Sequence, residues 1–315
     1  MTLFFTPSRF IRWLMLLSFL LLTACAGVRH NLYDSAMAHE RGKAGLTLKT
    51  LAVNGKSISL LESERDPAKP TIVLIHGFAA NKENWVRFSR YLTGAFHVVA
   101  MDLPGHGESV KDLNLNYDLD DQVGYVHEVL TALHIDTFHL AGNSMGGAIS
   151  CLYAAAYPRQ VQSLFLIDPS GIYQHKSELM QCLEKGDNPL IVTSPKDFNR
   201  LMDFALERKP FIPWPVTGVM AEKAVANRPV NEDIFSQLRG PHKYVFADEL
   251  KKITVPTLIL WGTKDRIIHV DNASVFQQLI PHSRKMLMED IGHAPMIEAP
   301  EQTAEIFMDF ILSLG

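Results

Sequence analysis

The stretch Leu140-Ala141-Gly142-Asn143-Ser144-Met145-Gly146-Gly147 constrains the chain more than any other: an apolar strand pattern runs into a serine between glycines and out into a helical pattern. Glycines two before and two after the serine let neighbouring backbones pass where a side chain would collide, so the chain turns sharply from strand to helix at Ser144. Such a turn lifts the hydroxyl out of the sheet. It also leaves the Met145 N–H at the start of a helix, where unsatisfied donors and the helix dipole favour a developing negative charge. Ser144 is therefore the candidate nucleophile. A glycine-rich turn with an incidental serine is the bland alternative, and the rest of the chain decides between them.

Strand and helix patterns alternate around this turn. Asn54-Gly55, within the alternating segments of Leu46 to Leu61, suits a two-residue type I′ hairpin. Thr71 to Ile75 is a continuous apolar run, typical of a strand covered on both faces. Strand patterns recur at His97 to Met101, Phe138 to Ala141, Ser163 to Ile167, Pro256 to Gly262 and Lys285 to Met288. Between them lie helical stretches near Asn84 to Leu92, from Met145 to Tyr157 and from Ala273 to Leu279, with a last helix carrying Ile306, Phe307, Phe310 and Leu314. Leu119, Val123, Val126, Leu130 and Leu133 form one apolar stripe at helical spacing. Parallel strands joined by right-handed crossovers bring all their C-terminal ends to one edge.

From Ile172 to roughly Leu250 the alternation breaks down. Leu179, Met180 and Leu183 make one apolar helical face, Leu201, Met202, Phe204 and Ala205 another, and Pro210 to Pro215 is a stiff apolar connector. Residues 172–250 therefore read as a helical cap inserted into an α/β core of residues 46–171 and 251–315.

The N-terminus reads as a processing segment. Arg9 and Arg12 precede the apolar run Trp13 to Leu22, which at about ten residues is shorter than the roughly 18 to 20 that a membrane span needs. Residues 1–24 are expected to be a signal peptide. Leu22-Thr23-Ala24-Cys25 resembles the lipobox of bacterial lipoproteins, which implies cleavage before Cys25 and a lipid on that cysteine. That resemblance implies attachment to the bacterial cell envelope through the N-terminal lipid, on the outer membrane or periplasmic side, with secretion as the alternative. Residues 25–45 would be the lipidated N-terminus and a tether or edge helix, with a helical stretch around Ser35 to Lys43.

Thirty basic against 34 acidic residues, with no basic cluster, exclude nucleic acid as a partner. Cys151 and Cys182 offer no disulfide framework, and Cys151, two helical turns beyond Ser144, should be a buried apolar group. No metal-ligand spacing or H-E-x-x-H motif is present, and nothing calls for a cofactor.

The remaining chemistry gathers on the shared strand-end edge. A serine hydroxyl needs a base near neutral pH, and His293, in Gly292-His293-Ala294-Pro295 after the strand at Lys285 to Met288, is the histidine in a suitable loop. Its orienting acid is Asp265, after the strand at Pro256 to Gly262, or Asp168, after the strand at Ser163 to Ile167. The second N–H of an oxyanion hole should come from the loop after Thr71 to Ile75, which points to Phe78 beside Met145; His76 is expected to be a structural partner of that loop.

Ile75-His76-Gly77-Phe78, Asp102-Leu103-Pro104-Gly105-His106-Gly107-Glu108-Ser109, Gly142 to Gly147, Gly262-Thr263-Lys264-Asp265 and Gly292 to Pro295 together resemble the α/β-hydrolase superfamily, over about Leu46 to Leu314. Within it the chain is most similar to bacterial family V lipases and monoacylglycerol lipases of the α/β-hydrolase-domain type. The resemblance implies the α/β-hydrolase fold, a mostly parallel central sheet with helices on both faces and a helical cap. It selects Asp265 over Asp168, and implies hydrolysis of small-molecule or lipid carboxylic esters through an acyl-enzyme, with no cofactor. A serine nucleophile argues against the haloalkane dehalogenases and epoxide hydrolases, which carry aspartate there. C–C bond hydrolases share the Ser, Asp and His, and a surface-anchored ligand-binding protein without turnover is the third reading.

Overall fold

Asn54 and Gly55 both adopt left-handed backbone, with φ of 46° and 76°, and so fold β1 (Leu46–Val53) back onto β2 (Lys56–Ser63) as an antiparallel ribbon with Val53 opposite Lys56. The computed structural model describes residues 27–240 and 245–314. Residues 27–43, ahead of the hairpin, form the helix α1. β2 pairs antiparallel with β4 (His97–Met101); from there the sheet is parallel through β3 (Thr71–Ile75), β5 (Phe138–Asn143), β6 (Val161–Ile167), β7 (Thr257–Gly262) and β8 (Ser283–Met288). The strand order is β1-β2-β4-β3-β5-β6-β7-β8.

The period-two alternation of each apolar run divides the core between two faces. Ile72, Leu74, Ala100, Phe165 and Leu258 pack on the side of α2 (Val86–Ser89), α11 (Pro295–Glu298) and α12 (Pro300–Leu312). Val73, Ile75, Val99, Leu140 and Ile259 pack on the side of α3 (Leu119–Ala132), α4 (Met145–Ala156) and α10 (Asn272–Leu279). Leu119, Val123, Val126 and Leu130 are buried, as their stripe requires, and Leu133 packs at its margin. The helical stretch expected near Asn84 begins as a 3-10 turn, Lys82–Trp85, because the Asn81 side chain accepts the Glu83 N–H at 3.0 Å, and then continues as α2.

Between β6 and β7 the described residues form five helices: α5 (Glu178–Glu184), α6 (Pro195–Ala205), α7 (Val216–Ala226), α8 (Arg228–Leu238) and α9 (Phe246–Leu250). Ser177 and Ser194 cap α5 and α6 by accepting the N–H three residues on. Phe198 of α6 packs with Ala221 of α7, and Ile234 of α8 joins the main core.

α1 is longer than the stretch around Ser35 to Lys43 suggests, and it is docked rather than free. Tyr33, Ala36 and Met37, at helical spacing, pack against Val216 and Val219 of α7. Arg29 pairs with Glu222 at 2.8 Å and the Lys223 ammonium lies 4.3 Å above the Tyr33 ring. Residues 27–43 are thus a helix packed against α7, of the two forms expected for this segment the helical one. The expected signal peptide and Cys25 lie outside the described residues. Among the described residues no helix is long and apolar enough to cross a membrane.

His139 of β5 lies between Ser163, whose Oγ is 2.8 Å from its Nδ1, and the edges of Phe96 and Phe307. Burial pushes its pKa down to about 4. The folded chain therefore excludes a proton that the unfolded chain accepts below its ordinary value of 6.5. This contribution is complete at neutral pH and is lost as the pH falls from about 6.5 towards 4. Urea unfolding between pH 5 and 6.5 should show His139→Gln losing stability about 1 kcal/mol per pH unit less steeply than the native chain. Equal slopes would contradict this account.

Candidate active site

A single residue, Ser144, separates β5 from α4, and its backbone takes φ 55° and ψ −119°, a strained conformation for a residue with a Cβ. The strain is held by close packing and hydrogen bonds. A Cβ on Gly142 would lie 2.2 Å from the Gly146 carbonyl oxygen, and one on Gly146 would lie 2.2 Å from that of Ile75. The Ser144 N–H donates to the Ile167 carbonyl at 3.0 Å, and the Ser144 carbonyl accepts from Ala148 at 3.1 Å and Ser170 at 3.0 Å. The hydroxyl is partly exposed and has no hydrogen-bond partner among the described residues.

Gly77 brings the loop after β3 against this turn: a Cβ there would meet the Ser144 Cβ at 3.1 Å. Among the described residues, neither the Phe78 N–H nor the Met145 N–H is taken up by a hydrogen bond. His76 is fully buried and braces the loop. Its Nε2 accepts the Leu103 N–H at 3.1 Å, so Nδ1 carries the proton and donates to the Gly77 carbonyl at 2.8 Å. Burial pushes the His76 pKa down to about 4, and that of His106, 5.0 Å away ring to ring, to about 3. Both imidazoles are neutral in the folded chain near pH 7.

Asp265 and His293 meet across the β7 and β8 loops. Asp265 Oδ2 accepts from His293 Nδ1 at 2.8 Å and from Trp261 Nε1 at 3.2 Å, while Oδ1 accepts the N–H groups of Ile267 and Ile268 at 2.8 and 3.0 Å. With its proton on Nδ1, the imidazole presents an unprotonated Nε2. The His293 N–H donates to the Ala205 carbonyl, at the end of α6, at 2.8 Å. The described residues contain no hydrogen bond between His293 and the Ser144 hydroxyl. A different contact ties the two loops: Asn143, beside the serine, donates its Nδ2–H groups to the His293 carbonyl at 3.0 Å and the Ile167 carbonyl at 3.1 Å.

Asp168 stands next to this pair. It is fully buried, its Oδ1 accepts the Gly262 N–H at 2.9 Å, and ligating atoms of Asp168, Asp265 and His293 all lie within 4.8 Å of one another. Both acids that the chain order allows are therefore within reach of one imidazole. Cys151 is buried and unpaired, as is the half-buried Cys182. The expected lipid site, Cys25, is outside the described residues.

Two supports lie beyond the motif residues. Asn143 occupies a variable position of the Gly-x-Ser-x-Gly pattern, and only its burial beside the histidine loop reveals its use. Glu298 accepts the Gly292, Glu207 and Arg208 N–H groups at 3.0, 2.9 and 2.8 Å, joining the end of α6 to the histidine loop. Its one legible signal is a carboxylate five residues after His293, at the last position of a short helix. On the opposite side, Phe235 of α8 packs against Phe78, with ring centroids 5.6 Å apart, so α8 lies against the loop after β3.

Comparisons with known proteins agree with this architecture. The family model described as alpha/beta hydrolase fold matches residues 70–300. Lipase 1 of Psychrobacter immobilis is 34% identical over 284 residues, covering 89% of each chain. Monoacylglycerol lipase ABHD6 of Bos taurus is 30% identical over 78% of this chain and 76% of its own. A crystal structure of a membrane phospholipase A, described as a bacterial virulence factor, superposes with a TM-score of 0.89 at 42% identity, covering 97% of this chain and 98% of its own. The chain belongs to the α/β-hydrolase-fold family, in the company of lipases.

Asn143→Ala leaves the buried His293 carbonyl without this donor, which should cost about 2 kcal/mol of unfolding free energy. Denaturant titration reads the loss directly; a change below about 0.5 kcal/mol would show that the link carries no load.

Proposed function

We propose that the chain is a serine carboxylic ester hydrolase acting on acyl lipids, with Ser144 as nucleophile, His293 as general base, Asp265 as its orienting acid and the Phe78 and Met145 N–H groups as the oxyanion hole. One observation carries the reading: the 2.8 Å Asp265–His293 hydrogen bond leaves Nε2 unprotonated on the same strand-end edge as the strained serine turn. As Ser144 Oγ attacks the ester carbonyl carbon, its proton passes to His293 Nε2 and the carbonyl electrons move onto oxygen. The two free N–H groups stabilise that oxyanion, each contributing on the order of 3 kcal/mol to the transition state. Collapse expels the alcohol, which takes the proton from His293 and leaves an acyl-serine. Water, deprotonated by the same imidazole, then releases the carboxylic acid and restores Ser144. Asp265 stays ionised throughout and stabilises the imidazolium.

Three observations favour a lipid ester. Lipase 1 of Psychrobacter immobilis and Lipase 3 of Moraxella sp., each 34% identical to this chain, are named lipases. Phe235 of α8 lays an aromatic ring against Phe78. On the connector before α7, Phe211 and Trp214 are 84% and 76% exposed, which suits a protein working beside lipid. Residues 172–250 act as the cap that selects the ester, over a core of residues 46–171 and 251–315. In the same reading, residues 1–24 are a signal peptide and a lipid on Cys25 anchors the chain in the bacterial cell envelope. α1 then joins that anchor to the insertion.

A panel of nitrophenyl and glyceryl esters of short to long acyl chains tests the activity. Ester cleavage should fall by at least about four orders of magnitude in Ser144→Ala. Cleavage of a vinylogous 1,5-diketone without ester cleavage would favour the C–C hydrolase, and ligand retention without turnover the binding protein. For the anchor, metabolic labelling with a fatty acid should be lost in Cys25→Ser, and label persisting there would refute lipidation at that residue.

A further inference from the structure

Two carboxyl groups share the surroundings of one imidazole, and their hydrogen bonds divide unequally. Asp265 receives four donors: the Ile267 and Ile268 N–H groups on Oδ1, and the Trp261 indole and His293 Nδ1–H on Oδ2. Donors on both oxygens mark Asp265 as the ionised partner, because a proton on either oxygen would turn an acceptor into a donor. Asp168 receives one, the Gly262 N–H on Oδ1. Its Oδ2 is buried with no donor among the described residues. An ionised Asp168 would carry a charge into a fully buried position with one oxygen unsatisfied, and within 4.8 Å of a second anion. A proton on Oδ2 removes the charge and turns an orphaned acceptor into a donor, and the neighbouring acceptor is Asp265.

We propose that Asp168 is a positioning residue that keeps its proton and donates it from Oδ2 to the Asp265 carboxylate, fixing the acid that orients His293. The inference rests on the reading of Asp265 and His293 as catalytic partners. Burial first, and then the Asp265 charge, push the Asp168 carboxyl well above the usual carboxylate range, with the Glu298 charge acting in the same direction and the Gly262 N–H against them. The facing groups are Asp265, His293 and Glu298. Because the shared hydrogen bond draws charge from Asp265, it also limits how strongly that carboxylate holds an imidazolium, so His293 can return its proton to the leaving alcohol.

Asp168→Asn is the informative variant. Its amide donates to Asp265 and accepts from Gly262, reproducing both hydrogen bonds without a titratable proton. Difference infrared spectroscopy at neutral pH should show the C=O stretch of an un-ionised carboxylic acid in the native chain and its loss in Asp168→Asn. With a nitrophenyl ester, kcat/KM of Asp168→Asn should stay within about threefold of native, and the acid limb of its pH profile, which reports His293, should move by less than about 0.3 pH unit. Asp168→Ala should lower kcat by about tenfold or more with KM little changed, since it removes the donor that orients the acid. The proposal is overturned if the infrared band is missing from the native chain. It is equally overturned if Asp168→Asn shifts the acid limb down by about one pH unit, because only an ionised Asp168 would be raising the His293 pKa. Native kcat in Asp168→Ala would reduce the residue to a buried spacer and contradict the positioning role. The infrared band is read without turnover, so it is decided independently of whether Ser144 and His293 carry catalysis.

Discussion

The contact between Gly146 and the end of β3 is the constraint on which the site depends. With no Cβ at 146, the first turn of α4 presses onto the Ile75 carbonyl, and the missing Cβ at 142 lets the preceding strand pass the same turn. Those two approaches hold Ser144 at φ 55° and leave its hydroxyl without a competing partner among the described residues. The strain is local, and its cost is shared by the parallel sheet, buried on both faces, that supports it. A side chain at either glycine would be felt first at the serine and only then in the core.

Around that turn, polar contacts cross-link loops that are distant in sequence. Asn143 joins the serine turn to the histidine loop, and Glu298 joins that loop to the end of α6. On the other flank, the fully buried Asp102 carboxylate accepts the Lys82 ammonium at 2.8 Å, the Lys82 N–H at 2.7 Å and the Glu108 N–H at 2.8 Å, locking the loop after β4 to the 3-10 turn. Each of these groups is costly to bury alone and is satisfied by its partner, so the network specifies one arrangement of the loops. Helices α6 and α8 attach to the same network, through the Ala205 carbonyl on the His293 N–H and through Phe235 on Phe78. A change in α6 or α8 can therefore reach these loops through two defined contacts.

Much of this was legible in the sequence because it follows from short-range chemistry. Asn54-Gly55 fixes the hairpin, the apolar runs fix strands covered on both faces, and the glycine spacing fixes the turn at Ser144. Chain order put an acid and a histidine on the same edge, and the two are within hydrogen-bonding distance. What was not legible depends on partners far away in the chain. The packed face of α1, formed by Tyr33, Ala36 and Met37, has no meaning until α7 lies against it. Asn143 and Glu298 look like ordinary polar residues until the loops they join are seen together. Asp168 and Asp265 were alternatives in sequence because both follow strands on one edge; in space they stand together, with unequal shares of the available donors.

The central claim, proposed above, is that Ser144 is the nucleophile and His293 its base. The most direct measurement is reaction with a fluorophosphonate at neutral pH, followed by mass spectrometric mapping of the adduct. One equivalent should add, on the peptide carrying Ser144, and His293→Ala should slow the reaction. Labelling of another residue, or no labelling of the folded chain, would contradict the account.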